Sequence, residues 1–147
     1  MADESDQLTV ELVAADRTVW TGEATMVLAR TTDGDVGVLP HHAPLVSTLG
    51  AGELRLRKGG TEESFAIVGG FLQVLPDKVV VMAETADMAS EIDLEKAQEA
   101  RRQAEQVLES GFHEGADLAA ARASLQAALI RIRVAERRHR EGPRRRV

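Results

Sequence analysis

The hydrophobic period of the sequence changes near Ser90, and this change favours a fold with two different parts. Before it, Leu8–Leu12 and Glu53–Arg57 alternate apolar and polar residues, as half-buried strands do. After it, apolar residues recur at helical spacing. The first 90 residues hold 12 valines and 9 glycines, whereas the last 57 hold 3 of each but 11 alanines. We therefore predict an α+β protein with its strands first and its helices last.

Short β-rich segments separated by turn residues indicate a β-sandwich or a barrel in the first part. The further predicted strands are Ala24–Thr31, Phe65–Val68, Phe71–Leu75 and Lys78–Met82. Gly59-Gly60 and Pro76-Asp77 lie between such segments and are predicted to be hairpin turns. Asp33–Leu45, with two glycines and two prolines, is predicted to be a long, stiff loop, and loops of this kind often carry function.

Two apolar stripes in the second part predict two amphipathic helices. The first stripe comprises Leu94, Ala97, Ala100, Ala104, Val107 and Leu108, and the second comprises Ala121, Leu125, Ala128, Leu129, Ile132 and Ala135. Ser90–Asp93 resembles a capping box for the first helix. Gly111 and Gly115 interrupt the pattern before Asp117, which is the predicted N-cap of the second. The two helices are expected to pair as an antiparallel hairpin.

These patterns divide the chain into a β domain at residues 1–90, a helical hairpin at residues 91–141 and a basic tail at residues 142–147. The tail is predicted to be disordered, because Pro143 cannot continue a helix and Arg144–Arg146 repel one another. A two-helix hairpin has too little core to be very stable alone, so we expect it to rest on the β domain or on a partner. Such a unit could detach and move.

The sequence contains few residues in arrangements typical of catalysis. It has no cysteine, which excludes disulfides, thiolate nucleophiles and cysteine-bound metals. His41-His42 is the best candidate pair, but no acidic residue or further histidine lies at ligand spacing, so no metal site is predicted. A stand-alone enzyme that uses His41 and His42 remains a competing hypothesis. No apolar run approaches the ~20 residues of a membrane span, and the acidic N-terminus is not a signal peptide; a soluble cytoplasmic protein is predicted.

Arginines of the last helix indicate a binding surface. Residues 1–130 carry a net charge of -12, whereas residues 131–147 carry +6. Ile130 and Val134 stand among Arg131, Arg133 and the arginines that follow, as expected for docking against an acidic and partly apolar protein surface. Nucleic acid is the rival partner for clustered arginines. It is disfavoured, since the rest of the chain is acidic and only four Phe and Trp residues are present for base stacking.

Ordered motifs along the chain resemble the epsilon subunit of rotary, F-type ATP synthases, which is called delta in mitochondria. The most specific motif is Gly37-Val-Leu-Pro-His-His-Ala-Pro-Leu45. Phe65–Val74 is similar to the Gly-Gly-Phe strand of the family, and Val79–Ala86 is similar to its last strand. Ile92–Ala97 and Arg131–Glu136 extend the resemblance through both helices.

The resemblance implies a β-sandwich of about ten strands and a noncatalytic place in the central stalk. In the family, the sandwich binds the gamma subunit and the ring of c subunits, and it helps to couple proton flow to ATP synthesis. The family's contacts with the c-ring carry over to Asp35 and His42, while His41 is a departure from the motif. The expected location is the cytoplasmic face of the plasma membrane, as a peripheral part of the complex.

The resemblance also implies a regulatory role for the hairpin. In bacterial relatives the last helix presses basic residues against the catalytic beta subunit and slows ATP hydrolysis. The matching residues here are Arg131, Arg133, Arg137 and Arg138, with Ile130 and Val134 as the apolar anchors.

Some relatives bind regulatory ATP in the folded hairpin, and the corresponding residues here are Ile92, Asp93, Lys96, Ala97 and Arg131. Lys96 replaces the arginine of that motif, and Gln103 and Ala127 stand where further arginines are expected. These losses weigh against ATP sensing, so no cofactor is predicted.

Overall fold

The structure is a computed structural model that describes residues 6–111 and 115–141. The predicted tail at residues 142–147 lies outside the described residues. The strands are β1 (Leu8–Ala14), β2 (Arg17–Ala24), β3 (Met26–Thr31), β4 (Gly34–Val38), β5 (Leu45–Thr48), β6 (Gly52–Lys58), β7 (Thr61–Val74) and β8 (Lys78–Met88). A short 3-10 helix (Ala89–Glu91) precedes the helices α1 (Leu94–Glu109) and α2 (Gly115–Glu141).

The strands form one continuous hydrogen-bonded sheet in the order β2-β1-β8-β7-β6-β3-β4, with β5 also paired to β7. β1 and β8 run parallel, and the other pairs are antiparallel. The predicted turns at Gly59-Gly60 and Pro76-Asp77 are confirmed, since each joins two strands that pair as a hairpin. The sheet folds over a single large apolar core whose members all lie between Leu8 and Ala86.

Strand β7 passes from one layer of the sandwich to the other. Its first half pairs with β6 and its second half with β5. Gly69 and Gly70 lie at the crossing with positive φ angles of 70° and 118°, a backbone conformation that favours glycine. The pairing register with β8 is the same before and after the glycines. The side chains that enter the main core nevertheless change from odd to even positions, from Phe65 and Ile67 to Leu72 and Val74.

The described residues form eight strands rather than about ten. Phe65–Val68 and Phe71–Leu75, which were predicted as separate strands, are parts of the single strand β7, which ends at Val74. The interrupted alternation at the glycine pair is a change of layer and not the end of a strand.

The predicted loop at Asp33–Leu45 is also wrong in its first half. Gly34–Val38 forms the edge strand β4, which pairs with β3 residue by residue from Thr31↔Gly34 to Val27↔Val38. The two glycines do not break the strand, because Val38 is buried in the core and Val36 packs against it. The loop therefore covers residues 39–44 only.

Helix α1 is capped by Asp93 rather than by Ser90. The Asp93 carboxylate accepts a hydrogen bond from the Lys96 backbone N–H at 3.1 Å, while Ser90 lies in the preceding 3-10 helix. The prediction of Asp117 as the second N-cap is also wrong. Helix α2 already begins at Gly115, so Asp117 lies in its first turn, where a carboxylate interacts favourably with the helix dipole.

The helices pack against each other along the alanine-rich stripes. Ala97 and Ala104 of α1 are buried, as are Ala121, Ala128 and Ala135 of α2. Val107 of α1 and Leu129 of α2 are exceptions in the predicted stripes, because their side chains are exposed. Helix α2 has a second buried face, formed by Ile130 and Val134, which packs on Ala66 of β7 and Ala89 of the 3-10 helix. The hairpin therefore rests on the outer face of the sandwich.

Candidate functional site

Arg137 near the end of α2 binds an acidic pocket on the sandwich. Its Nε donates to both carboxylate oxygens of Glu53 at 2.9 Å, and its Nη2 donates to Glu53 Oε2 at 2.6 Å. The same Nη2 donates to Glu62 Oε1 at 3.2 Å and to Ser64 Oγ at 2.7 Å. The side chains of Arg137 and Glu53 are only 18% and 17% exposed, so water screens this ion pair less than a surface pair.

Glu62 lies at the centre of this pocket, with 4% of its side chain exposed. Arg55 donates to both of its oxygens, from Nε at 3.0 Å and from Nη2 at 3.1 Å. Arg57 Nε donates to Glu62 Oε2 at 2.9 Å. The register places these side chains together, because Arg57 pairs with Glu62 and Arg55 pairs with Ser64 across β6 and β7. The sheet thus holds Glu62 in place with its own residues.

A second ion pair and a small apolar cluster complete the contact between α2 and the sandwich. Arg131 Nε donates to Asp87 Oδ2 at 2.8 Å, and both side chains remain about a third exposed. Ile130, next to Arg131, and Val134, one turn further along the helix, are buried against the sandwich. Four of the six residues predicted to contact the beta subunit are therefore bound within the chain itself.

Arg133 and Arg138 differ from the other two arginines. Both are exposed, and within residues 6–111 and 115–141 neither makes a side-chain hydrogen bond or an ion pair. Arg133 lines a groove of about 600 Å³ between α2 and the strands β3 and β4, together with Leu129 of α2 and Arg30 and Asp35 of the sheet. Arg133 and Asp35, to which the resemblance assigned different partners, therefore line the same groove.

Asp35 and His42, the predicted c-ring contacts, lie on the same β4–loop stretch but have different partners. Asp35 is an exposed β4 residue whose Oδ1 accepts a hydrogen bond from Arg30 at 3.2 Å. His42 Nδ1 lies 2.7 Å from the Ala43 carbonyl oxygen. His41 has a φ of 69°, and its backbone N–H donates to the Pro76 carbonyl at 2.7 Å. This bond fastens the loop at residues 39–44 to the β7–β8 turn.

The residues that match the nucleotide motif have structural roles in this fold. Asp93 caps α1 by binding the backbone of Lys96, Ile92 packs against the small apolar cluster and Ala97 is buried in the hairpin. Arg131 is paired with Asp87. That the chain takes no cofactor stays a prediction.

An exposed apolar patch on the other layer of the sandwich was missed at the sequence level. Phe71 of β7 lies opposite Thr48 of β5 and Met82 of β8, on the outer face of the sheet. Val46 is 69% exposed, Phe71 54% and Met82 46%. The signal available was that Val79–Met82 is apolar at every position, a pattern typical of a strand that is covered on both faces. Neighbouring apolar side chains of this size on a surface indicate an interaction site.

The acidic residues Glu53, Glu62 and Asp87 were also missed, since nothing in their local sequence distinguishes them from other charged strand residues. No set of three or more His, Asp or Glu side chains in the described part of the chain is arranged to hold a metal ion. The described helices include none that is long and apolar enough to span a membrane.

A β-sandwich that carries a docked helical hairpin, an exposed apolar patch and an arginine-rich helix defines a protein that works through contacts with other macromolecules. Comparison with known families specifies the class. The beta-sandwich domain of the ATP synthase delta/epsilon chain matches residues 7–89, and the long alpha-helix domain of the same chain matches residues 90–136.

Individual relatives agree with this match. The ATP synthase epsilon chain of Dehalococcoides mccartyi is 42% identical over 132 residues, which cover 90% of this chain and 94% of the relative. The epsilon chain of Streptomyces griseus is 46% identical over 114 residues, which cover 76% of this chain and 91% of the relative. Among solved structures, a chain of the Euglena gracilis mitochondrial ATP synthase, solved as OSCP/F1/c-ring, aligns with a TM-score of 0.74 at 25% identity, covering 87% of this chain and 81% of that one. A chain from the central stalk and c-ring of the Tetrahymena thermophila enzyme shares the fold, with a TM-score of 0.57 at 13% identity over 87% of this chain and 96% of that one.

The chain belongs to the delta/epsilon family of ATP synthase subunits. It is a noncatalytic rotor subunit of an F-type ATP synthase, as the resemblance implied. The alternative, a stand-alone adaptor that binds acidic partners or nucleic acid through its basic last helix, is not favoured.

Proposed function

We propose that this subunit joins gamma to the c-ring in the central stalk, and that its helical hairpin slows ATP hydrolysis by the catalytic head. The family assignment supports the place in the stalk. The observation that carries the regulatory part is the way α2 is docked. Two arginines, which form three ion pairs, and one small apolar cluster hold it on the sandwich, outside the main core. A helix attached in this way can leave while the sandwich stays folded.

Gamma is the proposed partner of the exposed apolar patch at Val46, Phe71 and Met82. The patch lies on the layer that the hairpin does not cover, so gamma can bind whether or not α2 is docked. Burial of these side chains on binding removes apolar area from water, the dominant favourable term in stable protein association.

The c-ring is the proposed partner of the loop at residues 39–44. His42 and the exposed Leu39 belong to this loop, and the exposed Leu75 lies in the turn to which His41 is bonded. Asp35 adds a carboxylate on the neighbouring strand that can accept hydrogen bonds from basic or amide groups of the ring. These contacts would hold the subunit as a peripheral component on the cytoplasmic face of the plasma membrane.

The beta subunit is the proposed partner of the arginines of α2 after the helix undocks. Arg133 and Arg138 are accessible in the docked state, whereas Arg131, Arg137, Ile130 and Val134 are occupied by the sandwich. The complete arginine and apolar face is therefore available only when α2 leaves its present position. The docked hairpin is the uninhibited state in this proposal.

The test is ATP hydrolysis by a catalytic head complex that contains gamma but lacks epsilon. The complex is titrated with the full chain and with a version that ends at Ser90, which keeps every residue of the main core. Inhibition by the full chain alone is the expected result, with equal gamma binding by the two versions. Equal inhibition by the two versions would contradict the proposal that the helices inhibit hydrolysis. If neither version binds gamma, the proposed place in the central stalk is contradicted.

A further inference from the structure

The two arginines that dock α2 on the sandwich are not equivalent. Arg131 and Asp87 form a single hydrogen bond at 2.8 Å in a partly exposed position. Arg137 makes hydrogen bonds to three sandwich side chains, and both its own guanidinium and the Glu53 carboxylate are largely withdrawn from water. Exposed single pairs contribute little to stability, whereas the loss of one partner from a buried pair leaves an uncompensated charge.

The two carboxylates that receive Arg137 also differ. Glu62 keeps Arg55 and Arg57 as partners when α2 is absent. In the described part of the chain, Glu53 has hydrogen bonds and an ion pair with Arg137 alone. Arg137 therefore enters a site that already contains two arginines, and Glu53 supplies the negative charge that makes a third arginine acceptable there.

The apolar part of the docking contact is small. Its buried members are Ala66, Ala89, Ile130 and Val134, and two of these four are alanines. Apolar stabilisation grows with the area buried, so this cluster supplies much less than the main core does. The ion pair at Arg137 thus stands out among the docking contacts by its burial and by its number of bonds.

We infer that the Glu53–Arg137 pair is an ionic latch that sets the fraction of time the hairpin is docked, on a sandwich surface preorganised by Arg55, Arg57 and Glu62. Opening of the latch exposes Arg137 for a partner and leaves Glu53 in water. The latch rests on the proposed regulatory function and specifies what controls it. The controlling contact is made by the chain's own side chains and requires no bound ligand.

Thiol protection in the full-length chain tests the latch. The chain has no cysteine, so Ala66→Cys introduces a single thiol under Ile130 and Val134, and Ala89→Cys supplies a second, independent reporter. A thiol at either position is alkylated when the hairpin lifts, and its rate reports the population of the open state. Iodoacetamide is the probe, and emission of the single tryptophan, Trp20, which packs on Phe65, reports that the sandwich remains folded.

Three variants are compared in each reporter background. Arg137→Gln and Glu53→Gln remove one partner of the latch, and Arg138→Gln makes the same charge change at the adjacent, unpaired arginine. We expect alkylation to accelerate at least about tenfold in the first two variants and to stay within about twofold of the parent in the third. The double variant Glu53→Gln/Arg137→Gln should open little more than either single variant, because partners in one contact are not additive.

Several results would overturn the latch. Equal protection of Arg137→Gln and Arg138→Gln would show that the pair does not control docking. If the double variant shows the product of the two single-variant increases in alkylation rate, Glu53 and Arg137 act separately. Since the assay uses the isolated chain, these outcomes are distinct from failure of the proposed function. If the Glu53–Arg137 pair controls docking but the hairpin does not inhibit ATP hydrolysis, the variants will show the predicted alkylation rates and no change in ATP hydrolysis.

Discussion

His41 shows how a single residue can depart from the family motif and still be accommodated. Its φ of 69° lies in the left-handed region, where residues with a side chain are strained by about 1–2 kcal/mol. The bond from its N–H to Pro76 holds this conformation. The sequence marked His41 as unusual, but only the backbone shows that the position favours glycine.

We predict that His41→Val lowers the free energy of unfolding by about 1–2 kcal/mol, because a β-branched side chain is poorly accommodated at positive φ. His41→Gly should stay within about 0.5 kcal/mol of the parent, since relief of strain offsets the greater freedom of glycine in the unfolded chain. Urea unfolding measures both, with Gln73→Val at an exposed strand position as the control. Equal stability of His41→Val and the parent would contradict the strain.

Gly70 is restricted by space as well as by its φ angle. A Cβ at this position would lie 2.0 Å from the Met82 carbonyl oxygen. We predict that Gly70→Ala loses more than about 3 kcal/mol or fails to fold, because backbone on both strands would have to move. Gly59→Ala is the matched control, with a φ of 60° and open space around it, and should cost about 1 kcal/mol. Thermal unfolding of the two variants distinguishes a clash from a general glycine effect.

The stability of helix α1 depends on a hydrogen bond at its N-terminus. Asp93 is the N-cap, and its side chain binds the Lys96 N–H. We predict that Asp93→Ala destabilises α1 by about 1 kcal/mol, whereas Asp93→Asn, which can still accept this bond, costs only a few tenths. Hydrogen exchange of the α1 amides measures the local effect. An equal loss in both variants would show that the carboxylate charge, and not the cap, is what matters.

On the exposed face of α1, Glu99 and Arg102 form an ion pair that changes the pKa of the glutamate. Hydrogen bonds and the charge of Arg102 lower the pKa of Glu99 below its ordinary value. Because the pKa is lower in the folded chain, the pairing favours folding above the ordinary glutamate pKa and is lost as the pH falls through the folded value. We predict that Arg102→Gln raises the Glu99 pKa towards the ordinary value. NMR titration of the side chain measures it, and an unchanged pKa would contradict the pairing.

At the scale of the whole molecule, the two outer faces of the sandwich have different occupants. The hairpin covers one, and the patch at Phe71 and Met82 is open on the other. We predict that Phe71→Ser/Met82→Ser weakens gamma binding at least about tenfold, because truncation of a central apolar contact commonly costs more than 1 kcal/mol. Stability should change little, since both side chains are largely exposed.

Calorimetric titration of gamma measures this prediction, and Val107→Ser removes an exposed apolar side chain of α1 as the control. Undiminished binding by the patch variant would place gamma elsewhere on the subunit.

The order of the two parts and the family of the chain could be predicted from the sequence alone. Period two and period 3.6 are local properties, because each depends on residues within a turn or two of one another. The turns at Gly59-Gly60 and Pro76-Asp77 were predictable for the same reason. The passage of β7 from one layer to the other at Gly69-Gly70 could not be predicted, since a glycine pair within an apolar segment is equally consistent with a turn between two strands.

The partners of the arginines of α2 could not be predicted from the sequence, because they depend on how the chain folds. The sequence indicated an acidic, partly apolar partner for Ile130, Val134 and the arginines around them, and the structure supplies such a surface within the same chain. Glu53 and Arg137 are 84 positions apart. Their contact depends on the strand register that gathers Glu53, Glu62 and Ser64, and on the path that lays α2 across them. No local pattern encodes such a contact, because its ion pairs form only where the folded chain brings opposite charges together away from water.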